Sequence, residues 1–481
     1  MEELCKYSCL YYQITDYSHS IMNKEKISRR SFLGTSAKAA AVTSLAVTGF
    51  PAIVPASVFG KNAPSNRINV AAIGTGRISR IHDMPGVWQH EFAQLMAVCD
   101  LDTRRAEDAR VLVNNHYTVK NGKPFEGVKV YHDYKELITN KDVDAVVIST
   151  PDHWHALIAI AAARAGKHIY LQKPTSLTIE EGRILSDVVR ESKVTFQIGS
   201  QQRSSEQFRY AAELVRNGRI GQLKKVYVGL PGDPSGPDEP EMPVPSNLNY
   251  DMWLGSTPEV YYTENRVHPQ NSYDRPGWLR CEQFGAGMIT GWGAHHIDSA
   301  HWGMDTELTG PIEIWGRAEF PKSGLWDVHG IFRTEALYKN GVHMIVSNEI
   351  PNGIKFEGTE GWIFVTRGNY RATATDPVAG ETKPLEASDP KIIQSQIGAS
   401  EINLYRSNNH HGNWLESIRD KKEPIAPVEI AHRSCSACLL HHIAMKLGRK
   451  LKWDPDKEKF IKDKEANKML SRKQRKPYVI K

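Results

Sequence analysis

A glycine-rich turn between an apolar strand and a helix is the feature that most constrains this chain. Residues 68–82 read Ile-Asn-Val-Ala-Ala-Ile-Gly-Thr-Gly-Arg-Ile-Ser-Arg-Ile-His, a strand pattern that runs into Gly74-x-Gly76-x-x-Ser79. Gly74 permits a tight turn, Gly76 lets a ligand approach the backbone, and the N–H groups of the following helix attract phosphate. Ser79 stands where such patterns carry a third glycine, which loosens the expected packing of helix on strand. The turn predicts a pyrophosphate site for a dinucleotide.

The next apolar run indicates which dinucleotide binds. Residues 92–99 end at Asp100, close to the spacing at which an acid binds the adenosine ribose hydroxyls. A carboxylate there repels a 2′-phosphate, so NAD is favoured over NADP, and Arg104 and Arg105 keep that preference moderate. The cofactor contacts expected in this region are Gly74, Thr75, Gly76, Arg77, Ile78 and Asp100.

Alternating strands and helices continue to residue 199 and then give way to a different pattern. Apolar runs at 144–150, 167–172 and 194–199 predict a doubly wound parallel sheet, an α/β Rossmann domain over 64–199. Residues 200–450 are predicted to form an α+β domain with a large, mostly antiparallel open sheet. Its expected strands lie at 222–229, 312–318, 331–338, 343–349 and 362–366. A Pro/Gly-rich excursion over 230–280 is long enough to indicate a functional loop.

The first sixty residues resemble an export signal. Ser28-Arg29-Arg30-Ser31-Phe32-Leu33 precedes a mildly apolar stretch, an order typical of a twin-arginine signal. Residues 22–60 are interpreted as that signal and 1–21 as an extension that fits neither signal nor fold. Lys38 interrupts the apolar stretch, so no stable membrane insertion is expected. The sequence predicts a protein located in the periplasm. Because free NAD is scarce there, a tightly bound cofactor is expected.

Charge and cysteine content exclude several other classes. The chain has 61 Lys and Arg against 55 Asp and Glu, and the basic excess lies in the leader and near the C-terminus. Residues 451–481 are predicted to be a solvated basic tail, and because acids are interleaved with its lysines no nucleic-acid partner is expected. Cys435-x-x-Cys438 has no second pair at zinc-ligand spacing, which favours packed thiols over a redox centre and predicts no metal site.

Ligands of doubly wound sheets bind beyond the carboxyl ends of the strands. Residues 152–155, 172–174 and 199–203 follow such ends. Lys173 is a cation at a strand end, where it can hydrogen-bond a nicotinamide ribose and a reacting hydroxyl. The alternative is an ordinary surface lysine.

A histidine cluster between Gly291 and Trp302 supplies a second candidate group. His295 and His296 are adjacent on a predicted helix and diverge by about 100°, so they do not readily ligate one metal. A histidine that titrates near neutrality suits removal of an alcohol proton, and Asp298 lies on the same helical face as His295. The alternative is a core histidine. Lys173 and His295 are the predicted catalytic residues.

Taken together, these motifs resemble the Gfo/Idh/MocA oxidoreductase family, and its exported Bacteroidetes-type members in particular. The resemblance rests on Gly74-x-Gly76 and on residues 150–155, 165–174, 285–298 and 358–362. It implies further cofactor contacts at Thr150, Pro151, His155 and Lys173, and a homodimer or homotetramer.

The chain departs from the family pattern at two positions. The family's Glu-Lys-Pro is here Gln172-Lys173-Pro174, and Gly291 stands where the family's Asp-x-x-x-His dyad has its aspartate. Either another acid replaces that aspartate in space, or Lys173 takes a larger share of the proton transfer.

The resemblance implies an NAD-dependent dehydrogenase that transfers hydride from a ring hydroxyl carbon of a sugar or glycoside, with C3 oxidation to a 3-keto glycoside favoured. Substrate contacts are expected at Arg203, Arg266, His268, Trp278, Arg280, Trp292 and Asp298. One alternative is a glycoside hydrolase or lyase that uses tightly bound NAD in a redox-neutral oxidation–elimination cycle. Another is a cofactor-binding protein without catalysis.

Overall fold

A parallel sheet forms the centre of the first domain. The computed structural model describes residues 67–368 and 383–480, so the predicted export signal lies outside the described residues. Within them, six parallel strands pair in the order β3-β2-β1-β4-β5-β6, which confirms the predicted doubly wound sheet. The strands are β1 (Ile68–Ile73), β2 (Ala93–Cys99), β3 (Lys129–Tyr131), β4 (Ala145–Ile148), β5 (His168–Leu171) and β6 (Phe196–Ile198).

Helices connect these strands and start at sequence signals. A π-helical turn at Ser79–Asp83 precedes α1 (Met84–Trp88); the others are α2 (Thr103–Asn121), α3 (Tyr134–Thr139), α4 (Asp152–Arg164) and α5 (Ile179–Ser192). Helix α2 begins where the Asp102 side chain accepts hydrogen bonds from two backbone amides of the first turn, and it ends at Gly122 with a φ of 64°.

A second, larger sheet lies in the other domain. Nine described strands pair in the order β13-β12-β11-β7-β10-β9-β8-β14-β15. Neighbouring strands are antiparallel except β7 and β10, which confirms the mostly antiparallel sheet. The strands are β7 (Leu223–Gly229), β8 (Pro311–Ala318), β9 (Phe332–Tyr338), β10 (His343–Ser347), β11 (Gly353–Gly358), β12 (Trp362–Val365), β13 (Leu385–Ala387), β14 (Leu451–Asp454) and β15 (Lys459–Phe460).

Three helices, α6 (Glu206–Arg216), α9 (Gly293–Met304) and α12 (Val428–Leu447), pack on this sheet around a shared apolar core. The helices of this part of the chain are α6 (Glu206–Arg216), α7 (Tyr250–Leu254), α8 (Met288–Gly291), α9 (Gly293–Met304), α10 (Pro390–Gln394), α11 (His410–Asp420), α12 (Val428–Leu447) and α13 (Lys464–Lys468). The helix expected across Gly291 to Trp302 is therefore interrupted at Trp292.

Helix α12 carries the cysteine pair. Cys435 and Cys438 are free, buried thiols, and burial raises the pKa of Cys435 to about 11. This confirms the prediction of packed thiols. None of the helices between residues 67 and 368 or 383 and 480 combines the length and apolarity needed to cross a bilayer.

The C-terminal segment differs from the predicted solvated tail. Strand β14 pairs with β8, and the side chains of Leu451 and Trp453 are buried. Arg472 forms an ion pair with Glu181, and Arg475 donates to the Gly255 carbonyl. The segment is therefore attached to the fold through β14 and through these two arginines, although most of its lysines are exposed.

Helix α11 crosses from the second half of the chain into the first domain. Trp414 is fully buried in the core beneath the parallel sheet, with its ring centroid 5.6 Å from that of Tyr170 on β5. The predicted boundary at residue 199 divides the chain by sequence position alone. The core of the first domain also includes residues of α11, which lies far beyond that boundary in the sequence.

We expect Trp414→Ala to lower the free energy of unfolding by about 3–5 kcal/mol, the usual loss for a buried aromatic side chain. Urea denaturation followed by fluorescence would measure it. The control is Leu308→Ala, at a side chain that is 66% exposed, with an expected change within about 0.5 kcal/mol. Equal stability of the two variants would show that α11 does not complete the first-domain core.

Candidate active site

A cavity of about 600 Å³ opens at the carboxyl ends of β1, β4 and β5. The glycine turn and the segments after β4 and β5 form one wall, and α8, α9 and residues 274–279 form another. This volume is typical of a cofactor or substrate site, and its place at the strand ends is where doubly wound sheets bind ligands.

The glycine turn leaves backbone open to the cavity. A Cβ atom at Gly76 would meet no described atom within 4 Å, although Gly76 lines the cavity. Gly74 has a φ of 82°, and a Cβ atom there would lie 2.8 Å from the Ser149 carbonyl. Gly74 is therefore required for the backbone conformation of the turn and its packing on Ser149. Gly76 instead leaves room for a ligand, and this open space is consistent with a pyrophosphate bound at the turn.

Asp100 fixes the glycine turn and also lines the cavity. Its Oδ2 accepts hydrogen bonds from the Thr75 amide at 2.8 Å and the Thr75 hydroxyl at 2.9 Å. Thr75 is buried beneath the turn, so it acts through Asp100 rather than at the cavity wall. The other predicted cofactor residues all line the cavity: Gly74, Gly76, Arg77, Ile78, Asp100, Thr150, Pro151, His155 and Lys173.

His155 fastens the loop that carries Lys173. Its Nδ1 lies 2.6 Å from the Pro174 carbonyl oxygen and its Nε2 lies 2.8 Å from that of Thr150. Burial lowers the pKa of His155 to about 4, so the neutral ring donates to one of these two oxygens. The Thr150 hydroxyl has no hydrogen-bond partner among the described residues and remains available to a ligand.

The glutamine at position 172, where the family pattern has glutamate, is explained by the buried acid Asp83, which sequence reasoning did not identify. The Gln172 side-chain amide donates to Asp83 Oδ1 at 2.8 Å, and the Ser149 hydroxyl donates to Oδ2 at 2.6 Å. A glutamate at position 172 would bring a second carboxylate against this fully buried one, at a high electrostatic cost. The departure from the Glu-Lys-Pro pattern therefore complements Asp83.

His295 lines the same cavity as Lys173 and is a neutral base. Burial lowers its pKa well below the usual value, and the charges of Arg367 and then Lys173 lower it further. Its Nδ1 has no hydrogen-bond partner within the described ranges, which agrees with the missing side chain at Gly291. A neutral imidazole can accept a proton from a substrate hydroxyl.

Sequence reasoning missed Arg367. It follows β12, lines the cavity, and places its guanidinium 4.8 Å from the centroid of the Trp292 ring. No motif marks this position, because only the folding of the second sheet brings the end of β12 next to α9.

Two sequence comparisons identify the family of the chain. Residues 68–200 match an oxidoreductase family with an NAD-binding Rossmann fold, and residues 235–378 and 391–480 match its C-terminal alpha/beta domain. The chain belongs to the Gfo/Idh/MocA oxidoreductase family.

Individual relatives cover only part of the chain. A glycosyl hydrolase family 109 protein from Shewanella sp. (strain ANA-3) is 36% identical over 178 residues, 35% of this chain and 37% of that protein. The levoglucosan dehydrogenase of Pseudarthrobacter phenanthrenivorans is 36% identical over 91 residues, 19% of this chain and 23% of that protein. The chain matches 53% of the length of an uncharacterized Synechocystis oxidoreductase and 37% of the Shewanella protein.

Solved structures share the fold at low identity. The WlbA dehydrogenase from Bordetella pertussis, in complex with NADH and UDP-GlcNAcA, is 15% identical with a TM-score of 0.58, covering 81% of this chain and 99% of that chain.

The predicted substrate contacts divide into two groups in this Gfo/Idh/MocA protein. His268, Trp278 and Trp292 line the cavity. Arg203 and Asp298 instead form an ion pair that is 1% and 0% exposed, with Nε to Oδ2 at 2.7 Å. Arg203 was expected at the substrate because it follows a strand end of the parallel sheet, and Asp298 because the family resemblance implies a substrate-contacting acid there. In the described structure their side chains pair inside the core and are not part of the cavity wall.

Arg266 and Arg280 also differ from the expected contacts. The Arg266 guanidinium donates to the Tyr261 carbonyl and lies 4.3 Å from the Tyr261 ring centroid. Arg280 Nε lies 3.5 Å from an oxygen of the buried Asp233. Neither belongs to the cavity wall as far as the structure describes it, and both stabilise the loops around it.

The residues described, 67–368 and 383–480, hold no group of three or more His, Cys, Asp or Glu side chains arranged to bind a metal.

We expect Arg203→Ala to lower the free energy of unfolding by about 3–5 kcal/mol, because it leaves the Asp298 carboxylate buried and unpaired. Denaturant titration measures this, with Arg110→Ala as control at the surface ion pair with Glu107, where about 1 kcal/mol or less is expected. An Arg203→Ala variant of normal stability but raised KM would instead support a substrate contact.

We expect Arg367→Gln to move the acidic limb of the kcat/KM pH profile to higher pH. Removal of this nearby cation raises the pKa of His295, so the base becomes protonated at a higher pH. The control is Arg333→Gln, which removes a cation from a surface pair with Glu335. An unmoved limb would rule out His295 as the titrating base.

Proposed function

We propose that this protein is an NAD-dependent oxidoreductase that oxidises a ring hydroxyl of a sugar or glycoside, with C3 as the favoured position. The observation that carries the proposal is that Lys173 and neutral His295 line the same cavity as the open backbone at Gly76. A base, a cation and a dinucleotide-binding turn are the groups that alcohol oxidation requires.

The residues divide the chemistry between them. When bound, the nicotinamide supplies hydride exchange at the substrate carbon. His295 accepts the hydroxyl proton, and the Lys173 ammonium stabilises the negative charge that develops on the oxygen. Trp278 and Trp292 offer apolar ring faces to the sugar at the cavity wall. His155 holds the Lys173 loop in place during these steps.

The proposal includes NAD rather than NADP, tight binding, and export to the periplasm by the twin-arginine route. The Asp100 carboxylate at the cavity supports NAD, because it disfavours a 2′-phosphate. Mass spectrometry of ligand released from natively purified protein tests the identity of the cofactor and its tight binding. Release of NAD supports it, and release of NADP or of no nucleotide contradicts it.

Redox-neutral glycoside cleavage is the second candidate, favoured by the glycosyl hydrolase family 109 relative. Oxidation at C3 would acidify the C2 proton, elimination would break the bond from C1 to the leaving oxygen, water would add, and the hydride would return to C3. Turnover without net NADH, together with solvent deuterium at C2, would identify this cycle.

Incubation of the purified protein with a glycoside panel and NAD tests both candidates. Net NADH with a keto product supports the dehydrogenase, and cleavage without NADH supports the second cycle. A protein that binds no nucleotide and converts no glycoside would contradict both.

We expect Lys173→Ala to lower turnover by about 10²–10⁴-fold, the range for loss of a positioned proton-transfer or charge-stabilising group. Bound NAD should remain, because the glycine turn is untouched. Steady-state kinetics and nucleotide content measure the two effects, with Lys135→Ala at an exposed site on α3 as control. Near-normal turnover of Lys173→Ala would remove this residue from the mechanism.

Gly291→Asp is the companion variant. A Cβ atom at Gly291 would lie 3.3 Å from Leu279 Cδ2, the end of a flexible side chain, so an aspartate can be accommodated. Cofactor binding should persist, since this position lies in the second domain. Loss of bound nucleotide would show that cofactor binding in the first domain depends on the residue at position 291 in the second domain.

A further inference from the structure

The long excursion between β7 and α8 contains a loop, residues 266–276, whose two ends meet. A Cβ atom at Gly277 would collide with the Asn265 carbonyl oxygen, so the chain returns directly against itself at this point. The Trp326 indole N–H donates to the same oxygen at 3.2 Å. A compact surface loop with adjoining ends is an Ω-loop, a class that is frequently functional. Residues 266–276 are called the strap below.

The strap forms part of the cavity wall and reaches the first domain. Four of its residues line the cavity: His268, Asp274, Arg275 and Pro276. His268 Nε2 lies 3.1 Å from Oδ2 of Asp102, the N-cap residue of α2. Helix α2 begins just after Asp100, the candidate ribose-binding acid. The strap therefore extends from the second domain to the end of the cavity where the adenosine ribose is expected.

Arg105 on α2 fastens the strap through its backbone. Its Nη2 donates to the Pro269 carbonyl at 2.6 Å and to the Ser272 carbonyl at 2.9 Å, and the residue is 6% exposed. Hydrogen bonds from a charged donor are stronger than those between neutral groups. Sequence reasoning treated Arg105 as a group that moderates the preference for NAD. In the structure its guanidinium is instead engaged by the strap.

Tyr273 joins the strap to two elements of the first domain. Its ring lies between two guanidiniums, with the ring centroid 4.1 Å from Cζ of Arg80 and 4.6 Å from Cζ of Arg105. Its hydroxyl donates to Asp108 on α2 at 2.8 Å. Arg80 belongs to the π-helical turn that follows the glycine turn. The strap thus bridges the elements that follow the candidate pyrophosphate turn and the candidate ribose acid.

We propose that the strap retains the bound nucleotide, with Arg105 and Tyr273 as the positioning residues that hold it closed. This inference rests on the proposed function. Release of the nucleotide requires the contacts of these two residues to break, because they join the strap to the first-domain elements around the site. Net NADH production requires one such opening in each turnover, whereas a cycle that returns the hydride requires none.

The test measures exchange of bound nucleotide rather than activity. The full-length protein with its nucleotide bound is mixed with excess deuterium-labelled NAD, and mass spectrometry follows replacement of the nucleotide that stays on the protein. We expect Arg105→Ala to exchange about 10–100-fold faster than wild type, because two charge-assisted hydrogen bonds to the strap are lost. Arg110→Ala is the matched control. Arg110 lies on the same helix and pairs with Glu107 of that helix, so exchange should keep the wild-type rate.

Two substitutions of Tyr273 give an independent readout from the strap side. Tyr273→Ala removes the ring from between the two guanidiniums and should also accelerate exchange. Tyr273→Phe keeps the ring and loses only the hydrogen bond to Asp108, so most of the slow exchange should be restored. If Arg105→Ala does not fold, the comparison of the two Tyr273 variants decides the proposal.

Amide hydrogen exchange of nucleotide-free protein tests the fastening itself. We expect faster deuterium uptake over residues 266–276 in Arg105→Ala than in wild type, and equal uptake over α5. Unchanged uptake in the strap would overturn its fastening by Arg105.

The strap and the proposed function can fail separately. Wild-type protein that takes up NAD, together with wild-type exchange rates in folded Arg105→Ala and Tyr273→Ala, would overturn the strap alone. Wild-type protein that takes up no NAD would contradict the proposed function and, with it, the role of the strap.

Discussion

The buried carboxylate of Asp83 holds together the parts that form the site. It accepts hydrogen bonds from Ser149 at the end of β4 and from Gln172 at the end of β5, and it lies 3.0 Å from His411 Nε2 on α11. A carboxylate in the interior requires such partners, and each partner is thereby fixed in position. The ends of β4 and β5, with the Lys173 loop that follows β5, and α11 are consequently held in one arrangement by a single side chain.

Much of the first domain could be predicted from the sequence because buried parallel strands are continuous apolar runs. These apolar runs also located two parts of the site, because the Gly74-x-Gly76 turn and Lys173 each follow the end of such a run. Strand β3 was missed because a three-residue strand with an exposed lysine has no periodicity to detect. Strand β11 begins and ends in glycine and carries charged side chains, so it is recognisable only by its pairing with β7 and β12.

Site residues could be predicted where a motif fixes the backbone conformation. They could not be predicted where the direction of a side chain decides whether it faces the cavity or the core. Arg203 and Asp298 adjoin motif residues, but their charges pair in the core, and sequence proximity does not distinguish a side chain that faces the cavity from one that faces inward. Arg367 and Asp83 acquire their roles from contacts between distant elements. The absent acid at Gly291 was visible in the sequence, whereas the resulting environment, a neutral His295 beside two cations, required the fold.

The insertion of α11 has a consequence for how the chain is made. The ring of Tyr170 on β5 stacks on His411 at 4.3 Å and meets Trp414 on its edge. During synthesis, β5 leaves the ribosome long before α11 does, so until then this face of the parallel sheet lacks its contacts with Trp414 and Leu415. The core of the first domain is therefore completed only after most of the chain has been translated.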